Sequence, residues 1–273
     1  EKCVAFLLIF INFVLIMKIA LVGAGNLATV LGHALCNAQH DIVQVYSRTM
    51  AAANLLAEKL NAVPTDSLDE ITNDADLYII ALKDSILDAV IDKICPVRSD
   101  KLFVHTAGSV PIDVFRGRAV HYGVFYPMQT FSKTRIVDFR NIPVFLEADS
   151  PLTMQTIAEV AQSVSNNVRK LSSSDRRYLH LAAVWACNYA NHCYDMAAEV
   201  LQKVGLPFDI MLPLTDETAR KVHELSPREA QTGPAIRYDE NIIEAQMQLM
   251  DDNPRAQQLY QLMAQSIYEK SKK

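Results

Sequence analysis

The chain has 273 residues, of which 50% are hydrophobic, and its 26 basic and 31 acidic side chains give a net charge of -5. This composition is typical of one large or two ordinary folded domains, and it excludes disorder along the whole chain. The mild negative charge, without a long Lys/Arg run, argues against a protein that binds nucleic acid.

The N-terminal segment contains an apolar run at residues 4–17 that only Asn12 interrupts. The run is shorter than the roughly 20 apolar residues that span a bilayer. No small-x-small cleavage site follows it, as a secretory signal would require. We therefore expect the protein proper to begin at Met17, with residues 1–16 as upstream sequence and a membrane tether as the alternative.

Cysteine and histidine spacing bears on disulfides, metals and compartment. The five cysteines form no C-x-x-C pair, and none of the seven histidines lies in an H-E-x-x-H motif. The sequence therefore predicts neither a disulfide framework nor a metal site. We expect a protein of the reducing cytoplasm.

From Lys18 onward, short apolar runs rich in β-branched residues alternate with segments of helix length. The runs lie at 18–22, 41–47, 76–82, 101–106, 119–125 and 142–148. This alternation predicts the α/β class, with a doubly wound parallel sheet in a nucleotide-binding domain over residues 17–149.

After residue 149 the pattern becomes helical. Ser150 followed by Pro151 is typical of a helix start, and residues 175–204 predict one long helix. The run at 167–171 could add a strand. We predict a helical second domain over residues 150–273.

A glycine-rich turn follows the first strand, where G-x-G-x-x-A connects a strand to a helix. Gly23 permits the tight turn, Gly25 lets the backbone approach a pyrophosphate, and Ala28 lets the helix lie close to the sheet. The amides of residues 25–28 would meet the phosphates at the positive end of the helix dipole. The predicted binding residues are Gly23, Ala24, Gly25, Asn26, Leu27 and Ala28, and the alternative is a tight turn without a ligand.

The end of the second strand distinguishes NAD from NADP. An NAD site has Asp or Glu there for the ribose 2′-hydroxyl, whereas this chain has Ser47, Arg48 and Thr49, with Asp41 at the other end of the strand. Arg48 can pair with a 2′-phosphate, and the two hydroxyls can donate to it. The sequence predicts NADP(H); the alternative is that Arg48 is an ordinary surface arginine.

Two further strand ends are expected to contact the cofactor, because open sheets bind ligands at the carboxyl ends of their strands. The residues concerned are Ala81, Leu82, Lys83 and Asp84 after one strand, and His105, Thr106, Ala107 and Gly108 after the next. Lys83 could equally be a solvated loop residue. For His105 a structural role is favoured over an acidic one.

The predicted long helix has polar side chains on one broad face, at Arg177, His180, Cys187, Asn188, Asn191 and Asp195. Reduction of a carbonyl or imine requires a proton donor, which His180 could be, and Asn188 could orient the reacting group. The alternative is a hydrogen-bond network buried in a dimer.

Two more side chains are candidates for substrate contact. Arg237 follows a Gly-Pro turn and could hold a substrate carboxylate, or it could pair with Asp239 at the start of the next helix. The Tyr126 hydroxyl could reach a substrate, or the side chain could pack between sheet and helices.

On these residues, the chain from 18 to 273 resembles the bacterial family that joins a Rossmann-like NADP-binding domain to a helical domain of unknown function, DUF2520. The motifs that carry the resemblance are GAGNLA at 23–28, YSRT at 46–49, HTAGSV at 105–110, HYGVFYPMQTF at 121–131, HLAAVWACNYANH at 180–192 and TGPAIRYD at 232–239. The first domain is more distantly similar to pyrroline-5-carboxylate reductase, in which a lysine matches Lys83, and to deazaflavin-dependent NADP reductase.

The resemblance implies an NADP-binding homodimer with a helical domain like that of 6-phosphogluconate dehydrogenase, and a site between the domains. It implies no substrate. The Lys and Asn four residues apart in β-hydroxyacid dehydrogenases have no match, because Val184 follows His180 at that spacing. We expect an NADPH-dependent oxidoreductase for a small carbonyl or imine compound; the alternative is a non-catalytic NADP(H)-binding sensor or regulatory dimer.

Overall fold

The computed structural model of the protein describes residues 16–135 and 137–273. The predictions for residues 1–15 therefore lie outside the described residues. The chain divides into two compact units, one ending at Val184 and the other comprising Trp185–Lys273. Among the described residues, no helix combines the length and the apolar character required to cross a membrane.

An eight-stranded sheet forms the centre of the first unit, with the strand order β3-β2-β1-β4-β5-β6-β7-β8. Strands β1 to β6 are parallel, β7 is antiparallel to β6, and β8 is parallel to β7. The strands are β1 Lys18–Val22, β2 Asp41–Tyr46, β3 Val63–Thr65, β4 Leu77–Ile80, β5 Leu102–His105, β6 His121–Pro127, β7 Val144–Ala148 and β8 Val168–Lys170. The predicted α/β class is confirmed.

Helices cover both faces of the sheet, because its central strands are apolar on both sides. The helices are α1 Asn26–Asn37, α2 Met50–Leu60, α3 Asp84–Ile94 and α4 Pro151–Val164. The apolar sides of α1, α2 and α4 share one core, while that of α3 packs in the other. A Cβ atom on Gly32 of α1 would lie 2.7 Å from Leu60 Cδ1 and 3.0 Å from Leu21 Cδ1, so glycine allows α1 to approach the sheet closely.

The first unit extends beyond the predicted boundary at residue 149. Ser150 does cap α4, since its hydroxyl accepts a hydrogen bond from the Thr153 amide at 3.2 Å. However, α4 buries Ile157 and Val160 completely in the core of the sheet, and β8 pairs with β7. The helical pattern after Ser150 therefore marks a change of secondary structure and not the end of the first packing unit.

The remaining elements are helical. Helix α5 spans Ser173–Ala183, and a π-helical turn, Val184–Tyr189, precedes α6, Ala190–Gln202. These three elements follow one another without a break, so the long helix predicted over 175–204 is present and contains a π-helical turn. The second unit continues with α7 Leu212–Lys221, α8 Glu240–Gln248 and α9 Pro254–Ser271. Its helical content agrees with the prediction.

Candidate functional site

The turn after β1 requires glycine at its first position. Gly23 has φ of +134°, and a Cβ atom there would overlap the carbonyl oxygen of Ala81. Its amide donates to the Tyr46 carbonyl at 2.9 Å, which ties the turn to the end of β2. The turn therefore lies against both neighbouring strands, at the point in the strand order where α/β sheets bind ligands.

Gly25 caps the N-terminus of α1 and leaves open space in front of it. Apart from its own chain neighbours, no atom of the described residues lies within 4 Å of the position that its Cβ would occupy. The Thr29 hydroxyl donates to the Gly25 carbonyl at 2.9 Å, and this hydrogen bond stabilises the first turn of the helix. Ala28 is completely buried, as predicted for a helix close to the sheet. Free amides and open space at a helix N-terminus suit an anionic group.

A cleft of about 650 Å³ lies in front of this turn, within the size range of small-molecule sites. Arg48 and Lys83 are the charged residues among those that line it, and none of the lining residues is acidic. The lining consists of Gly23, Ala24, Gly25, Ser47, Arg48, Thr49, Ala52, Ala81, Leu82, Lys83 and Ile86. Nine of these were predicted; Ala52 and Ile86 were not, because apolar side chains within helices carry no sequence signal for binding.

Three other predicted residues of the turn have different surroundings. Asn26 donates from its side-chain amide to the Phe131 carbonyl at 2.9 Å, and Leu27 is half-buried. Like Ala28, neither lines the cleft. That their backbone amides bind the cofactor phosphates stays a prediction.

His105 is buried and structural. Its Nδ1 accepts a hydrogen bond from the Ala107 amide at 3.1 Å, and its ring stacks on Phe115. Burial, with the Arg176 charge, lowers the pKa of His105 to about 3, so the imidazole is neutral at physiological pH. Thr106 and Ala107 are also buried, and none of the three lines the cleft. The structure favours a structural role of His105 over a role as a catalytic acid.

His180 and Tyr126 form one cluster in the first unit. The Tyr126 hydroxyl lies 3.2 Å from His180 Nδ1, although 54 positions separate the two residues. Burial raises the pKa of Tyr126, which keeps the hydroxyl protonated at neutral pH. Gly108, in the loop after β5, approaches so closely that a Cβ there would lie 2.7 Å from His180 Cγ. The cluster thus joins β6, α5 and the carboxyl end of β5.

A buried ion pair, missed by sequence reasoning, fixes this part of α5. Arg176 Nη1 lies 2.7 Å from Glu147 Oε2, and Arg176 is 1% exposed. Its Nη2 donates to the Val110 carbonyl at 2.5 Å, while the Ser173 hydroxyl accepts from the Ile112 amide at 2.9 Å. Helix α5 therefore clamps the loop that follows β5. Arg176 and His180 are four residues apart, on one side of the helix.

Asn188 and Arg237 belong to the second unit. Asn188 is exposed in the π-helical turn. Arg237 is exposed and lies 3.7 Å from Asp239 Oδ2. Asp239 occupies the N-cap position of α8, but its side chain makes no capping hydrogen bond. The sequence suggested that Arg237 could pair with Asp239 and that Asp239 could cap the next helix. The ion pair is present, and the side-chain cap is not.

Comparisons with known proteins bear on both units. The profile of a Rossmann-like domain matches residues 15–122, and that of a domain of unknown function, DUF2520, matches residues 142–267. A proposed NADP oxidoreductase from Bacteroides fragilis is 52% identical, with a TM-score of 0.90 over 93% of this chain and 98% of that chain. The curated proteins include no significant match.

Two more distant structures share the fold. An imine reductase from Myxococcus stipitatus in complex with NADP+ has a TM-score of 0.64 at 15% identity, over 93% of each chain. A 1-pyrroline-5-carboxylate reductase from Streptococcus pyogenes has a TM-score of 0.61 at 15% identity, over 94% of this chain and 98% of that chain. The distant resemblance to pyrroline-5-carboxylate reductase is thus confirmed at the level of fold.

Proposed function

Because the chain belongs to the family that joins a Rossmann-like domain to a DUF2520 domain, we propose that it is an NADPH-dependent oxidoreductase of a small carbonyl or imine compound. The observation that carries the proposal is the acid-free cleft in front of Gly25, with Arg48 at its edge. The Bacteroides fragilis relative named as an NADP oxidoreductase adds support.

The residues of the cleft fit NADPH. The space that a Cβ on Gly25 would enter suits the pyrophosphate, whose charge the α1 N-terminus stabilises. Arg48, Ser47 and Thr49 would hold the 2′-phosphate, and Leu82 and Lys83 the opposite half of the cofactor. The bound cofactor would supply hydride. The side chains described here would bind the cofactor, orient the substrate and protonate it.

Replacing Arg48 with alanine is expected to weaken NADPH binding roughly 10- to 100-fold and to leave NADH binding unchanged, since a charge-assisted hydrogen bond contributes about 1.5–3 kcal/mol. Isothermal titration calorimetry with both nucleotides measures the effect. Lys170→Ala is the control, because this exposed lysine lies outside the cleft. Equal affinity of the parent protein for NADH and NADPH would contradict the assignment.

We propose that His180 provides the proton in the reaction. Reduction of a C=O or C=N group places hydride on carbon and requires a proton on oxygen or nitrogen. With Nδ1 engaged by the Tyr126 hydroxyl, Nε2 of His180 is the nitrogen that would carry this proton to the substrate. Tyr126 would hold the ring and contact the substrate. Asn188 and Arg237 are proposed to orient the reacting group and a substrate carboxylate.

The test is turnover of cyclic imines and small aldehydes or ketones with NADPH. His180→Ala is expected to lower kcat by a factor on the order of 10²–10⁴, the usual contribution of a general acid. NADPH affinity should stay within about threefold, because His180 does not line the cleft. Full turnover in the variant would remove His180 from the mechanism, and NADPH binding without turnover of any substrate would favour the sensor.

We propose that the second unit, with the α5 region, forms the substrate and dimerisation domain, and that the protein is a cytoplasmic homodimer. Large apolar side chains of this unit are exposed, among them Trp185 at 57%, Leu214 at 62% and Leu262 at 63%. Extensive exposed apolar surface is typical of protein interfaces. Sedimentation should give a dimer of the 30.5 kDa chain, and Trp185→Glu should shift it toward monomer. A monomeric parent protein would contradict the proposal.

A further inference from the structure

A second cavity of about 650 Å³ lies along α1, and none of its lining residues is shared with the cleft. One wall is the side of α1 that carries Thr29 and His33, and another is the end of α4 at Ser163. Residues 133–135 and 137–140 form a third wall. Val30, Ala34 and Phe139 give the interior an apolar character.

Four basic side chains line this cavity: Lys59, Lys133, Arg135 and Arg140. In the part of the chain that the structure describes, none of the four has a carboxylate within 4.0 Å of its nitrogens. Other surface cations of the same unit do have partners: Lys18 pairs with Asp74 at 2.8 Å and Lys93 with Asp69 at 2.9 Å. Four cations without a carboxylate partner thus line one cavity.

The one acidic residue in the lining offsets only part of these charges. Asp138 Oδ1 accepts from the Arg140 amide at 3.1 Å, and its Oδ2 accepts from the Asn141 side chain at 2.8 Å. The carboxylate is thus engaged in the local turn. Four positive charges face one negative charge here, in a chain whose net charge is -5.

We propose that this cavity binds an organic polyanion, a small molecule with two or more phosphate or carboxylate groups. Like charges brought together around one cavity repel each other, and a bound anion relieves that repulsion. Phosphate oxygens accept hydrogen bonds from lysine and arginine with charge assistance. The apolar interior would contact the carbon skeleton. The proposal is independent of the reaction catalysed at the cleft.

The probe is inorganic pyrophosphate, titrated by calorimetry at low ionic strength. The variant Lys59→Glu/Arg140→Glu is expected to bind roughly 10- to 100-fold more weakly than the parent protein, because two charge-assisted contacts become repulsive. Both residues are exposed, so the fold should persist, and circular dichroism verifies this. Binding should also weaken as salt is added.

Two further variants serve as controls for the cleft and for net charge. Gly25→Ala obstructs the pyrophosphate position of the cleft and should leave the affinity for inorganic pyrophosphate within about threefold. The same holds for Lys170→Glu/Arg228→Glu, which changes net charge equally at two exposed sites outside both cavities. The proposal fails if the parent protein does not bind pyrophosphate. It also fails if Gly25→Ala abolishes binding while the cavity variant retains it, or if both double variants lose affinity equally.

Discussion

Arg176→Ala is expected to lower the free energy of unfolding by about 3–5 kcal/mol, the usual effect of removing one partner from a buried ion pair. Arg176 is 1% exposed, and its guanidinium donates to Glu147, Val110 and Ser173. Its removal leaves the Glu147 carboxylate, whose side chain is 20% exposed, without its cation. Urea unfolding monitored by circular dichroism measures the change.

The neighbouring residue provides the control. Arg177 is exposed, and Arg177→Ala should change the unfolding free energy by no more than about 0.5 kcal/mol. The double variant Glu147→Leu/Arg176→Met tests the origin of the effect, since apolar residues of similar volume often replace a buried ion pair without loss. The double variant should therefore be more stable than Arg176→Ala. If Arg176→Ala unfolds like Arg177→Ala, the ion pair does not hold α5.

Gly23→Ala is expected to abolish NADPH binding and to destabilise the first unit. The backbone conformation at φ +134° alone costs about 1–3 kcal/mol for a residue with a Cβ. Overlap with the Ala81 carbonyl adds to this cost and pushes β4 away from the turn. Both thermal unfolding and NADPH titration should show the change.

Gly25→Ala separates binding from stability. Gly25 has φ of -78°, and a Cβ there would meet no protein atom within 4 Å. We expect this variant to unfold like the parent protein but to bind NADPH at least about tenfold more weakly, because the added methyl group lies where the backbone would approach the pyrophosphate. Unchanged affinity in Gly25→Ala would show that the pyrophosphate does not lie in front of α1.

The features that the sequence predicts well are local ones. The strand, the glycine turn and the start of α1 are adjacent in the sequence. Three consecutive residues after β2 suffice to show that no acidic side chain is present there. Ser47 and Arg48 accordingly line the same cleft as Gly23 and Gly25. Both the glycine turn and the cation that would bind the 2′-phosphate are encoded by a few consecutive residues, so each can be recognised without knowledge of the fold.

The features that it does not predict depend on contacts between distant segments. Arg176 and Glu147 are 29 positions apart, and nothing in their neighbours indicates that they pair in the interior. The continuation of the first packing unit past residue 149 depends on such contacts too. Strand β8 has only three residues, and its pairing with β7 becomes evident only once the sheet is assembled.

The reversed direction of β7 allows the cleft and the His180–Tyr126 cluster to be held by the same sheet. The six parallel strands end at the edge where Gly23 and Lys83 line the cleft, while α5, after the reversed pair, carries His180 to Tyr126 on β6. Hydride delivery and proton delivery would thus share a single rigid scaffold of hydrogen-bonded strands. The distance between the two sources would then be set by contacts within the first unit.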